Sequence, residues 1–167
     1  MTGFYREDYG LRKGAFNESL VLVSPDAGGA ARARAYAKRL SCDFAIIDKS
    51  RPRANECQMG GIVGDVNGKD CVLLDDLTDT AGSLCRAAVL LLSHGAKKVE
   101  ACVSHGVLSG PALTRIMESP LERLVITDTI PFTRECPKIK VVSIADLLAG
   151  AILAITMDDG SISALLE

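Results

Sequence analysis

The stretch "VLLDDLTDTAGSL" (72–84) places three carboxylates within five residues, at Asp75, Asp76 and Asp79. An apolar run leads straight into them, and Thr80, Ala81, Gly82 and Ser83 follow before the chain turns apolar again. A carboxylate can accept hydrogen bonds from two neighbouring hydroxyls, as on a sugar ring. A loop of Asp79, Thr80, Ala81, Gly82 and Ser83 that opens a helix supplies backbone N–H groups and two hydroxyls, which suit a phosphomonoester. Hydroxyl acceptors beside phosphate donors point to a phosphorylated sugar. The bland alternative is a capped turn. Three clustered aspartates are costly in such a turn without a ligand or a metal.

A second stretch repeats the architecture. In "SPDAGGAARA" (24–33) an apolar run ends, a turn bearing Asp26, Ala27, Gly28 and Gly29 follows, and a helix opens. Paired glycines let an anion approach the backbone. Asp26 suits such a site if a divalent cation bridges it to a diphosphate, and by itself it also reads as a helix N-cap. A third stretch, "KSRPRANE" (49–56), carries Lys49, Arg51 and Arg53 around a proline and reads as a loop. A cationic loop of this kind can close over a phosphoryl group, and taken alone it reads first as an ordinary solvated loop.

These residues need elements to hold them. The pattern alternates strand and helix: strands at 19–24, 44–48, 98–106, 123–128 and 139–144, and helices at 31–40, 83–96, 109–117 and 145–156. Asn67-Gly68 predicts a β-hairpin near residues 61–76. The expected fold class is α/β, a mainly parallel sheet flanked by helices. Ligands of such sheets bind beyond the carboxyl ends of the strands, where Asp26 and Asp75 would stand. Residues 1–18 read as an irregular segment and 19–167 as one domain.

Composition bounds the rest. Of 167 residues, 48% are hydrophobic and 24% charged, enough for a core and against disorder. The net charge of −2 argues against a general nucleic-acid partner. No apolar run reaches the ~20 residues of a membrane span, and "MTGFYREDYG" has no signal core, so a cytoplasmic protein is expected. The six cysteines form no C-x-x-C pair and read as reduced, mostly buried thiols; His94 reads as a helix end.

Taken together, "VLLDDLTDTAGSL" resembles the phosphoribosyl-diphosphate signature of type I phosphoribosyltransferase folds. With "VSPDAGGAARA", "KSRPRANE" and "HGVLSGPA" (105–112), the chain resembles ribose-phosphate diphosphokinases from about Leu20 to its C-terminus. The resemblance implies that ATP and ribose 5-phosphate become AMP and 5-phosphoribosyl diphosphate. It implies Mg2+ on Asp26, diphosphate on the loop Asp26–Gly29, and catalytic roles for Lys49 and Arg51. Asp75, with Asp76 beside it, would contact ribose, and Asp79–Ser83 would hold the 5-phosphate. The tail "GSISALLE" (160–167) resembles the family's subunit or regulatory contacts. Family members have two similar domains, and this chain matches the second. A homo-oligomer, or a partner carrying the other, ATP-binding half, is therefore expected. Two alternatives stay open: a non-catalytic synthetase-associated subunit and a phosphoribosyltransferase.

Overall fold

The computed structural model describes residues 2–10, 15–48 and 61–157. Their elements run α1 (Thr2–Asp8), β1 (Asn17–Ser24), α2 (Ala30–Leu40), β2 (Cys42–Ile47), β3 (Ile62–Val63), β4 (Asp70–Thr78), α3 (Gly82–Ser93), β5 (Lys98–Gly106), α4 (Ala112–Glu118), β6 (Arg123–Thr127), β7 (Ile139–Val142) and α5 (Ala145–Thr156). The strands form one seven-stranded sheet in the order β3-β2-β1-β4-β5-β6-β7. β3 is antiparallel to β2, and every other pairing is parallel.

The apolar runs become strands because both sheet faces are covered. Successive side chains point to opposite faces. Val21, Val23, Cys71 and Leu73 thus pack on one side with Ala87, Leu91 and Ile116 of α3 and α4. Leu20, Leu22, Val72 and Leu74 pack on the other with Tyr5 of α1 and Ala33, Ala37 and Leu40 of α2. From β1 the chain moves to β2 on one side, while β4 lies on the other. The connections after β1 and β4 therefore leave toward opposite faces, and a crevice opens between the two strand ends.

Two expectations are corrected. There is no hairpin at 61–76, because β3 pairs with β2 and both edges of β4 are taken by β1 and β5. Gly64, at φ +118° and packed so closely that a Cβ would sit 2.8 Å from that of Ala45, turns the chain away from β2. Asn67-Gly68 does form a turn, with Gly68 at φ +70° and its N–H on the Gly95 carbonyl at 2.7 Å. That turn feeds a central strand. The N-terminal segment is also not irregular throughout. Thr2–Asp8 form α1, held by buried Tyr5 and by Arg123, which bonds both Asp8 and buried Glu100.

α5 differs from the other helices. None of its residues is buried, and Leu148, Ile152, Leu153 and Ile155 are all more than half exposed. The partly covered positions are the small ones, Gly150, Ala151 and Ala154. The start of the helix is tied by Asp128, which accepts from Ser143 Oγ at 2.6 Å and from the Ile144 N–H at 2.9 Å.

Candidate functional site

The two loops read from the sequence meet at the crevice between β1 and β4. After β1, Asp26 caps a 3-10 turn (Ala27–Gly29) that runs into α2, and its Oδ1 accepts from the Gly29 N–H at 3.2 Å. Buried Ser24 braces the same turn by donating from Oγ to the Asp26 carbonyl at 2.6 Å. Gly29 is required by this packing, since a Cβ there would lie 2.5 Å from Ser24 Oγ.

At the end of β4, Asp75 and Asp76 point to opposite faces and have different surroundings. Asp76 is exposed and receives Arg32 of α2 at 3.0 Å, which holds its carboxyl below the usual carboxylate range. Asp75 is half-buried. Burial pushes its carboxyl up, and the charges of Asp76 and Asp26 push the same way. Asp75 and Asp26 are thus neighbours across the crevice, one at each strand end. Oxygen donors of this kind suit Mg2+, which takes one or two carboxylates and completes its shell with water and substrate phosphates. Among the described residues, no group of three His, Cys, Asp or Glu stands together as a metal cage.

The loop after β4 is held from behind. Ala81 is buried and takes the left-handed backbone (φ +57°) at the start of α3. No side chain caps α3, and uncapped N–H groups in a helix's first turn favour anions. Ser109, in the turn after β5, bonds the Asp79 carboxylate through Oγ and the Asp79 carbonyl through its N–H at 3.1 Å. Arg115 of α4 donates to the Thr80 carbonyl at 3.0 Å. A Cβ on Gly82 would lie 3.3 Å from Nη1 of both Arg86 and Arg115.

The structure therefore brings together Asp26–Gly29, Asp75 and Asp79–Ser83, with Asp76 turned to Arg32. Lys49, Arg51 and Arg53 lie outside the described residues, as does the tail 160–167. Ser24, Arg32, Ser109 and Arg115 have no role in the sequence reading, although "HGVLSGPALTR" contains the last two. Ser24 bonds Asp26 two residues on, whereas the other three have partners far along the chain, 44 residues away for Arg32, 30 for Ser109 and 35 for Arg115. The cysteine expectation holds for the described residues: Cys42, Cys71, Cys85, Cys102 and Cys136 form no disulfide, and three are buried. His94 ends α3, and His105 shares a 2.9 Å hydrogen bond with Thr129.

This is the arrangement of a phosphoribosyltransferase-type fold. An orotate phosphoribosyltransferase from Aeropyrum pernix superposes with a TM-score of 0.54 at 19% identity, over 80% of this chain and 67% of its own, a likeness of fold. Residues 52–167 match the phosphoribosyl synthetase-associated domain, and the chain belongs to that family. It is 56% identical over 152 residues to a ribose-phosphate pyrophosphokinase of Xylella fastidiosa, covering 89% of this chain and 47% of the relative. A Burkholderia pseudomallei protein of the same name is 51% identical over 160 residues, covering 94% and 50%. The crystal structure of phosphoribosylpyrophosphate synthetase from Mycobacterium smegmatis matches with a TM-score of 0.80 and 38% identity, over 94% of this chain and 49% of that one. The chain spans about half the length of the curated relatives it matches.

Proposed function

We propose that this chain is the ribose-5-phosphate half of a ribose-phosphate diphosphokinase. The observation that carries the proposal is the uncapped start of α3 behind Asp79–Ser83, set beside Asp75 at the switch point of the sheet. In this reading the α3 N–H groups and the hydroxyls of Thr80 and Ser83 hold the 5-phosphate. Asp75 accepts from the ribose hydroxyls, while Asp76, paired with Arg32, fixes the strand end. The anomeric hydroxyl attacks the β-phosphorus of ATP, the bond from that phosphorus to the α-phosphate oxygen breaks, and AMP leaves. The hydroxyl proton passes to solvent, and 5-phosphoribosyl diphosphate remains with its diphosphate on Asp26–Gly29.

Lys49 and Arg51 supply positive charge to the transferred group in this reading, a contribution of roughly 10³–10⁵ in rate for cationic fingers of other phosphoryl-transfer enzymes. Asp26, with Asp75 opposite, would hold Mg2+, which offsets charge on the diphosphate. Raised by burial and by Asp26, the Asp75 carboxyl is the group whose ionised form such a cation would favour.

ATP binding requires the other half, carried by a partner chain or brought by oligomerisation. The outward apolar face of α5 supports this. A helix with large apolar residues exposed and only one charged residue, Asp146, is built to be covered. No helix among the described residues is long and apolar enough to cross a membrane. We place the protein in the cytoplasm, with small-molecule phosphates as ligands and neither nucleic acid nor membrane as partner.

Calorimetry with ribose 5-phosphate and Mg2+ tests the sugar-phosphate half. Saturable binding at millimolar ligand is expected, and loss of that binding when ribose replaces ribose 5-phosphate. No binding overturns the proposal. An AMP-release assay on the pure chain is expected to show little turnover; robust turnover overturns the missing-half account. Binding that persists without turnover, even beside a complete enzyme, marks an associated subunit instead.

A further inference from the structure

Two buried residues that are not glycine, Ala81 and Leu108, hold left-handed backbones at φ +57° and +52°. L-residues adopt that conformation only where surrounding structure holds it. They sit in the two turns at the ends of β4 and β5, and these turns are bonded to each other. Val107 and Leu108 donate their N–H groups to the Thr78 carbonyl at 3.0 and 3.3 Å, and Ser109 donates to Asp79. Each turn also carries an arginine on a carbonyl of its strained residue or of the residue before it. Arg115 Nη1 reaches Thr80 O at 3.0 Å, and Arg134 Nη2 reaches Leu108 O.

Resting on the reading of Asp79–Ser83 as the 5-phosphate loop, we infer that Arg115 is a positioning residue of that loop. Its guanidinium pins the carbonyl of Thr80 away from the crevice. Rotation of the 80–81 peptide would bring a carbonyl oxygen to where the phosphate needs a donor. With that carbonyl held, Ala81 stays left-handed, and the N–H groups of Gly82 and Ser83 stay aimed at the ligand. Arg86, the second guanidinium behind Gly82, is held by Ser83 Oγ at 3.4 Å and makes no bond to the loop backbone. Both arginines line a groove of about 560 Å³ between α3 and α4. The anchor of Arg115 is itself fixed, because Cys85 Sγ donates to the Arg115 carbonyl at 3.6 Å and ties α4 to α3.

The position of Gly82 follows from the same clasp. A side chain there would press on both guanidiniums from the loop side. Arg115 is exposed, and an exposed arginine bond adds little to fold stability. Its effect should therefore appear in ligand affinity and in the local backbone, with the melting temperature almost unchanged.

The test uses the full chain and its Arg115→Leu, Arg115→Lys and Arg86→Leu variants. Calorimetry with ribose 5-phosphate and Mg2+ reads affinity, and amide hydrogen exchange reads residues 80–84. Arg115→Leu should lose roughly tenfold in affinity, the scale of one charge-assisted hydrogen bond, with faster exchange at Gly82 and Ser83. Arg115→Lys should recover part of both, since a lysine keeps the donor without the planar fork. Arg86→Leu should lose less affinity and leave exchange alone. Wild-type affinity in Arg115→Leu, or equal losses in Arg86→Leu and Arg115→Leu, overturns the inference. If Arg115→Leu does not fold, Arg115→Lys decides by the same two readouts. If the wild-type chain binds no ribose 5-phosphate, the reading of the loop fails and the ligand role of Arg115 falls with it. Exchange at 80–84 then separates that failure from failure of the clasp, which unchanged exchange would overturn.

Discussion

The chain makes the same strand–turn–helix connection twice at one crevice, and it finishes the two differently. After β1, the side chain of Asp26 occupies a turn N–H, and Ser24 braces the turn from inside the core. After β4, no 3-10 turn with an aspartate cap precedes the helix: α3, which like α2 has no side-chain cap of its own, opens directly from a loop held from behind by Ser109 and Arg115. A turn that presents a carboxylate suits a cation carrying an anion. A turn that presents uncapped N–H groups suits the anion itself. The contrast is what supports the proposed division into a diphosphate side and a 5-phosphate side.

The largest expected break in this contrast is on the β1 side. Gly29→Ala puts a methyl against Ser24 Oγ in the core, and overpacking of this kind costs about 1–3 kcal/mol. Thermal unfolding checks it, with a clear drop in Tm as the expected outcome. The equivalent change on the β4 side, Gly82→Ala, meets only the ends of two flexible side chains and should leave Tm nearly unchanged while weakening ribose 5-phosphate.

Asp75→Asn comes next. It should cost about tenfold or more in ribose 5-phosphate affinity, the scale of a hydrogen bond to a charged group. Stability should move the other way. The folded-state carboxyl of Asp75 titrates above its unfolded value, so stability declines as pH rises between the two values. At neutral pH the charged side chain therefore destabilises the fold, and the neutral amide should raise Tm. A lower Tm would show that the Asp75 charge is satisfied within the chain. Affinity of the wild-type chain should also fall on acidification before Asp76 titrates, because Arg32 holds Asp76 low while burial holds Asp75 high.

Ser109→Ala removes the hydroxyl from Asp79 and leaves the backbone bond, so roughly a fivefold loss of affinity is expected, the scale of one ordinary hydrogen bond. The smallest effect is Arg32→Ala. The pair with Asp76 is exposed, and its loss should change stability by no more than about 1 kcal/mol by chemical denaturation. That contribution is present above the ordinary aspartate range, and it fades as pH falls through the lowered value of Asp76.

What the sequence made legible follows from where each piece of structure gets its support. β1, β4 and β5 are apolar runs covered on both faces, and such runs announce themselves. The crevice loops were legible because glycines and aspartates at strand ends carry local turn chemistry. The hairpin was misread because Asn67-Gly68 reports a turn and says nothing of which strand takes the next place in the sheet. α1 was missed because seven residues make no stable helix alone; Tyr5 and the Arg123–Asp8 pair hold it, and Arg123 is 115 residues from Asp8. Ser109 and Arg115 stayed silent for the same reason. Their partners become neighbours only when β5 pairs with β4, for Ser109, and when α4 packs beside α3, for Arg115.

The most direct test of the central claim is a titration of the 15N-labelled chain with ribose 5-phosphate in Mg2+, followed by backbone amide shifts. The account predicts the largest saturable shifts at Thr80–Leu84, with shifts at Ala27–Gly29 added only when 5-phosphoribosyl diphosphate is the ligand. Ribose 5-phosphate that moves the Ala27–Gly29 amides and leaves Thr80–Leu84 unmoved would contradict it.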